Sequence, residues 1–454
     1  MRRNVLVIAY YFPPLGGGGV QRTTKFVRYL SEFGWHPVVL SVKNPAYGAY
    51  DTALLSDIPA DVPIYRAYAL QPTALYFRQK RAAVLTSDQA PHSSGVAATL
   101  KRAVRVVGRG VFAFTLFPDD KIGWVPFAIR EASAILEKHP IDLIYSTSAP
   151  YSAHIIADRV ARAARLPWVA DFRDPFVGYE TIPAPSPLHR RARQRLERHW
   201  VTAAKRVISV TPIMTRDFAR RYPDIAAEKW RTILNGYDHK DFEDVPPYEA
   251  ADTFDIRYVG TLHRSVSPDP TPLLHALHDV LSQDPGARQV LRLSFTGQID
   301  ATMLQLLQQA VARWNLGDIV SVHPPVTHDD AIRLMTTATV LLAMLDTKSG
   351  TELAIPAKCF EYLPAKRPIL ALSASRGITY DLLHTMDGMH FIDPDDWQQI
   401  NAQINTWLAQ WRLGTLPAPQ NVGHQQFSRR QAAAQLADIF QEVVSEVAIS
   451  KDTA

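Results

Sequence analysis

Four consecutive glycines, Gly16-Gly17-Gly18-Gly19, follow an apolar run over Val5–Tyr11 and precede a helical periodicity that starts at Val20. Without Cβ atoms, the backbone N–H groups of such a loop can approach a phosphate or a sugar closely, and the following helix aims its positive end at the same place. Gly17, Gly18 and Gly19 are therefore candidate ligand-binding positions, with a tight turn that holds no ligand as the alternative reading. A dinucleotide site would instead show G-x-G-x-x-G and an acid near the end of the second strand. Here the glycines are contiguous and Val38–Lys43 carries no such acid. Farther along, Asp171-Phe172-Arg173-Asp174 places one arginine between two carboxylates directly after an apolar run. The planar guanidinium of Arg173 can bind phosphate or hydroxyls but cannot shuttle a proton at neutral pH, so positioning is its expected role. Asp171 and Asp174 would orient it or bind hydroxyls, or form a structural salt-bridged turn. His154 closes the segment Ser146–His154, which follows a strand at the end where open α/β sheets bind ligands. Packing of that histidine against its own helix is the competing reading.

Other charged residues point elsewhere. Asp119-Asp120 has no nearby His or third acid, so a solvated turn is expected and no metal site. The basic run Arg190, Arg191, Arg193, Arg195, Arg198, Lys205 and Arg206 has no stacking-aromatic pattern or nucleic-acid module beside it, which favours a membrane-facing or solvated helix and no nucleic-acid partner. Residues 1–240 hold 34 Lys/Arg against 19 Asp/Glu, whereas the remainder holds 15 against 25. The first half is thus expected to face something anionic, with an anionic membrane as one such contact. Cys359 is the only cysteine, which excludes an intramolecular disulfide and a Cys-based zinc site and fits a reducing, cytoplasmic location. The N-terminal apolar run is short and breaks at Pro13-Pro14, so it reads as a first strand and not as a signal peptide. No window is long and apolar enough to span a membrane.

The elements that must position these residues alternate. Val5–Tyr11, His36–Val42, Ile141–Ser146, Trp168–Phe172 and Val207–Thr211 read as strands, with helices over Val20–Phe33, Ser152–Ala164 and about 187–204. After Pro246-Pro247, a linker signal, the alternation restarts with strands at Ile256–Val259, Leu291–Thr296, Val320–His323 and Val340–Met344 and helices near 270–283 and 301–315. Two α/β domains in series follow from a chain of 454 residues. The expected division is residues 1–245, residues 246–423, and a terminal amphipathic helix over 424–454 that packs back on the first domain. Its anchors are Phe427, Ala434, Leu436, Ile439, Phe440 and Val443. Within segment 82–110, Ser87–Ser94 reads as a polar loop, and Val96, Leu100, Val104, Val107 and Val111 recur at helical spacing with Arg102, Arg105 and Arg109 on another face, a helix either interfacial on anionic lipid or packed on its own domain.

Four ordered blocks resemble family 4 glycosyltransferases of the polysaccharide-assembly branch. Tyr10-Tyr11-Phe12-Pro13-Pro14 with the glycine loop, Gln21-Arg22 and Gly34–Val39 resembles the start of that family. Val207–Thr211 with Asn235-Gly236-Tyr237-Asp238 and Phe242 resembles its "serine after a strand, then NG-x-D" segment. Tyr258-Val259-Gly260-Thr261-Leu262 resembles the strand that opens its donor-binding domain, and Ile355–Leu363 with Lys366-Arg367-Pro368 resembles its donor-site helix.

The resemblance implies the GT-B architecture: two facing Rossmann-like domains with a C-terminal crossover helix, acceptor in the first, nucleotide-sugar donor mainly in the second, and reaction in the cleft with retention at the anomeric carbon. It implies no required cofactor or divalent metal, because helix dipoles and Arg/Lys can neutralise the departing diphosphate. Arg264 and Lys358 are the candidates for that task. Glu361 matches the second glutamate of the family's E-x7-E motif, which binds the donor ribose. The first falls at Leu353, so either Glu352 reaches the sugar from one place away or backbone groups of Gly350–Ala354 replace it. Most members carry histidine where Arg173 stands, which puts acid/base duty there in doubt. The expected function is sugar transfer to a lipid-linked or glycan acceptor in cell-surface polysaccharide or glycolipid synthesis, at the cytoplasmic face of the membrane. A nucleotide-sugar epimerase and a non-catalytic sugar-nucleotide-binding protein are the alternatives.

Overall fold

The computed structural model of the chain describes residues 2–45, 50–71, 116–178, 186–243, 252–345, 355–373, 377–420 and 423–452. The loop and helix expected in segment 82–110, the Pro246-Pro247 linker, Glu352 and Gly350–Ala354 lie outside the described residues. The chain forms two compact units, Met1–Leu234 with Ala432–Ala454, and Asn235–Gln431.

In the first unit, strands β1 (Arg3–Ile8), β2 (Trp35–Val42), β3 (Ile64–Ala67), β4 (Leu143–Ser148), β5 (Trp168–Phe172), β6 (Arg206–Ser209) and β7 (Trp230–Thr232) form one sheet in the order β3-β2-β1-β4-β5-β6-β7. Every pairing is parallel. Its helices are α1 (Gly18–Tyr29), α2 (Val125–Lys138), α3 (Ser152–Ala164), α4 (Pro187–Ala203) and α5 (Pro212–Arg221). A parallel sheet is buried on both faces, so its strands are apolar without alternation. In β1, Leu6 and Ile8 enter one core with Ala128 of α2 and Ile156 of α3, while Val5 and Val7 enter the opposite core.

The second unit repeats the plan. Strands β8 (Phe254–Val259), β9 (Leu291–Thr296), β10 (Val320–His323), β11 (Val340–Met344), β12 (Ile369–Leu372) and β13 (Met389–Ile392) pair in parallel in the order β10-β9-β8-β11-β12-β13. Helices α6 (Thr271–Gln283), α7 (Ala287–Val290), α8 (Ala301–Arg313), α9 (His328–Thr336), α10 (Ala357–Glu361), α11 (Ile378–Leu383) and α12 (Trp397–Arg412) complete it. In both sheets the strand order reverses beside the first strand, between β1 and β4 and between β8 and β11. Such a switch point opens a crevice at the carboxyl ends of the strands.

The last helix, α13 (Arg429–Asp452), belongs to the first unit from Ala432 onward. Ala433, Leu436, Ala437, Phe440 and Val443 recur at helical spacing and fill the core around Val5 and Val7. Phe440 meets Trp35 and Tyr145 edge-on at centroid distances of 5.2 and 5.7 Å. Arg206 on β6 pairs with Glu446 and fixes the far end of the same helix.

The segment Asn235–Asp238 groups with the second unit for a local reason. Tyr237 N donates to Phe427 O at 3.1 Å, and Arg429 N donates to Tyr237 O at 2.8 Å. Gly236 lies so close to this crossing that a Cβ there would sit 1.8 Å from Phe427 O.

Candidate functional site

At the switch point of the first sheet, Arg173 follows β5 and reaches across it. Its Nε donates to Ser148 O at 2.6 Å, its Nη2 to Ala149 O at 2.6 Å, and its Nη1 to Gly19 O. One guanidinium therefore ties the loop after β1 to the loop after β4. A Cβ on Gly19 would lie 3.3 Å from Nη1, so this position has little room for a side chain. Gly17 takes a φ of +93°, a conformation that favours glycine, and heads α1 without a side-chain cap. The leading N–H groups of α1 thus have no capping side chain competing with a ligand. The structure brings Arg173 and Gly19 together.

Asp171 lies beneath them, with its carboxylate fully engaged. It is 0% exposed and accepts hydrogen bonds from Arg22 Nε at 3.0 Å, Arg22 Nη2 at 3.1 Å, Tyr145 Oη at 2.6 Å and Thr147 Oγ1 at 3.1 Å. Burial alone would raise its pKa, but the Arg22 guanidinium and these donors hold it below the usual carboxylate range. Asp171 is a fixed counter-charge, sealed from solvent among these donors. Arg22 was not singled out as a site residue from the sequence. Its signal is an arginine four residues before Phe26, on the apolar face of α1.

His154 does not reach the loops. It is 0% exposed and packed against Phe172 at 4.4 Å, Trp200 at 5.5 Å and Trp168 at 5.9 Å between ring centroids. Its Nδ1 meets Ser146 Oγ at 2.8 Å, and Trp168 Nε1 donates to the same oxygen at 2.8 Å. Its Nε2 is buried without a partner. Burial pushes the imidazole pKa down to about 3, so the ring stays neutral. The expectation of a catalytic role is corrected here: the aromatic residues that enclose His154 make it a packing group. Asp119 also departs from its expected solvated turn, accepting from Ser152 N at 2.8 Å and Ser152 Oγ at 2.7 Å at the start of α3.

In the second unit, Lys358 on α10 reaches back to the carboxyl end of β8. Its Nζ donates to Tyr258 Oη and to Thr261 O, the latter at 3.3 Å, and lies 4.1 Å from the centroid of the Tyr258 ring. Among the described residues no carboxylate pairs with it. Burial pushes its pKa down to about 8, with Cys359 and Glu361 opposing the fall. Tyr362 fixes this helix to β8, since its Oη accepts from Val259 N and donates to Val259 O, both at 2.9 Å. Beside Lys358, Gly260 has a φ of +133° and Gly297 a φ of +139°. A Cβ on Gly297 would lie 2.1 Å from Gly260 O, so two glycines let the loops after β8 and β9 touch. Glu361, half-buried on the same short helix, has no hydrogen-bond partner among the described residues.

Arg264 follows in the loop after β8. Its backbone N donates to Asp300 Oδ2 at 2.5 Å, and its Nη2 stands 3.8 Å from Asp269 Oδ2. Asp300 also caps α8 through Met303 N at 2.9 Å. Lys358, Gly260 and Glu361 are gathered at one end of β8. Among the described residues, no group of three or more His, Cys, Asp or Glu side chains is arranged to hold a metal ion.

Residues 74–241 match the model of Glycosyltransferase Family 4. No curated protein sequence matches the chain. Among solved structures, Anabaena HepE in complex with UDP and glucose is similar, with a TM-score of 0.57 at 16% identity over 96% of this chain and 99% of that one. Sucrose-phosphate synthase from Thermosynechococcus elongatus has a TM-score of 0.59 at 15% identity over 98% and 100% of the two chains. The lipopolysaccharide outer core galactosyltransferase WaaB has a TM-score of 0.53 at 12% identity over 96% and 99%. At such identities the likeness is one of fold, and the fold is that of the GT-B glycosyltransferases. Among the described residues, no helix is long and apolar enough to cross a membrane.

Proposed function

We propose that the chain transfers a sugar from a nucleotide-sugar donor to a saccharide or lipid-linked acceptor, in the synthesis of cell-surface polysaccharide or glycolipid. The observation that carries this reading is Lys358, a half-buried ammonium with no described carboxylate partner, beside Gly260 at the switch point of the second sheet. An uncompensated positive charge in such a place suits the developing charge of a departing nucleoside diphosphate. Arg264 would add a second charge, and Glu361 would accept hydrogen bonds from the donor ribose. Transfer would then need no divalent metal and would proceed with retention. In the first unit, Arg173 would hold the glycine loop in shape for the acceptor and for the sugar. HepE is a structure with UDP and glucose bound, which supports a nucleotide sugar as the class of donor to try first.

The test incubates the purified protein with a panel of nucleotide sugars and a membrane extract, following nucleoside diphosphate release and label transfer to lipid or glycan. Release with transfer is expected. Interconversion of sugars without transfer would make the protein an epimerase, and binding without turnover would make it a non-catalytic binder. Glu361→Ala should weaken donor binding by about 1–3 kcal/mol, the cost of losing a charge-assisted hydrogen bond. An unchanged donor affinity would remove Glu361 from the site.

A further inference from the structure

An arginine-lined groove of about 360 Å³ lies in the first unit, and part of the basic run noted in the sequence lines it. Arg191, Gln194, Arg195 and Arg198 of α4 line it together with Arg221 and Tyr222. The groove is built on a buried anchor. Glu197, 0% exposed, accepts from Val177 N at 3.1 Å, Tyr222 Oη at 2.8 Å and Arg221 Nη1. One carboxylate thereby fixes α4, the end of α5 and the loop after β5.

The four arginines are not equivalent. Arg198 pairs with Asp224 at 2.6 Å, and Arg221 pairs with Glu197 and with Asp217, the latter at 2.8 Å. Arg191 and Arg195 are exposed and, among the described residues, have no carboxylate partner. They stand four residues apart on one helix face, so their guanidinium groups can close on a single anion. Leu188 falls on the same face, three residues before Arg191, and is 65% exposed. An exposed leucine beside two uncompensated arginines is the pattern of a surface that meets a lipid and its phosphate together. Val177, in the loop after β5, also lines the groove.

We infer that this groove is a phosphate site, with Arg191 and Arg195 as the anion clamp and Leu188 as an apolar contact, and that the phosphate is one carried on a membrane lipid. The inference deepens the acceptor reading, because a lipid-linked acceptor presents phosphate at a membrane surface. Its test reads binding alone, so it stands or falls without sugar transfer.

The experiment uses the full chain, the double variant Arg191→Gln/Arg195→Gln, and a charge-matched control, Arg130→Gln/Arg159→Gln, whose exposed arginines lie on α2 and α3. One arm measures inorganic pyrophosphate binding by calorimetry. The other measures flotation with phosphatidylcholine vesicles with and without phosphatidylglycerol. The expected result is binding to the anionic vesicles only, weakened about tenfold or more in the groove variant and retained by the control, with thermal melting unchanged. Leu188→Gln should weaken vesicle binding while leaving pyrophosphate binding intact. Pyrophosphate binding that depends on Arg191 and Arg195, with no vesicle binding, would overturn the lipid source. Equal losses in the groove variant and the control would assign the effect to net charge and overturn the site.

Discussion

Replacing Lys358 by methionine keeps most of its aliphatic length and removes the charge, so the two consequences of burying that charge separate. In the unfolded chain the lysine titrates at its ordinary 10.5, whereas in the fold it titrates at about 8. Between those values the unfolded state holds more protons, so wild-type stability rises as pH rises through that window and sits at its lower plateau below pH 8. A fall of this size corresponds to roughly 3 kcal/mol, and the side chain's remaining solvent contact reduces it. Lys358→Met should therefore gain about 1–3 kcal/mol at pH 7, read from urea denaturation, and lose the alkaline rise. Binding should move the other way. If the diphosphate needs the protonated amine, wild-type affinity falls about tenfold between pH 7 and pH 9, since the protonated fraction falls by that factor about a pKa of 8. Calorimetric titration with the nucleoside diphosphate at both pH values, for wild type, Lys358→Met and Lys358→Arg, removes the ligand's own titration from the comparison. The methionine variant should bind weakly at both pH values, and the arginine variant should keep its affinity at pH 9. A methionine variant that is less stable than wild type and binds the diphosphate equally well would refute the assignment of Lys358 as a charge held in reserve for the donor.

Three other outcomes follow from the geometry. Because the His154 pKa is depressed to about 3, its contribution is complete above pH 6.5 and is lost as pH falls toward 3, at about 1.4 kcal/mol per pH unit; His154→Gln should flatten that acid slope, and an unchanged slope in urea melts would sink the reading. Gly297→Ala should cost about 3 kcal/mol or more because the new Cβ would meet Gly260 O, whereas Gly34→Ala, with φ +83° but open space, should cost only about 1–2 kcal/mol. Equal costs would show that the close approach does not matter. Arg22→Met leaves the buried Asp171 carboxylate without its guanidinium and should cost about 3–5 kcal/mol, so a loss under about 1 kcal/mol would mean that the network is not held by charge.

Much of the alternation was legible from the sequence because its strands are apolar runs bounded by turn residues and its helices keep one apolar face. Ser152–Ala164, Trp168–Phe172 and Leu291–Thr296 fall where periodicity sets them. Short strands such as Ile64–Ala67 and Trp230–Thr232 escaped, since three or four residues carry no measurable period. The site was legible as residue types and not as a network. Arg173 and Gly19 are 154 residues apart, and only the parallel order that places β1 beside β4 makes them partners. The same limit hid the enclosure of His154, whose aromatic neighbours come from β5 and α4. A histidine at the mouth of a sheet and one sealed beneath it have the same sequence context.

The hydrogen bonds between Tyr237, Phe427 and Arg429 have an architectural consequence. They clasp the two points where the chain passes into and out of the second unit, so that 197 intervening residues, Asn235–Gln431, begin and end side by side. A segment closed in this way can be exchanged as a cassette: two cuts within a few residues of each other remove the unit bearing Lys358 and Glu361, and the remaining ends are near enough to be joined or to receive a counterpart. Gene-level recombination at this clasp would change the unit bearing Lys358 while leaving the arginine-lined unit untouched.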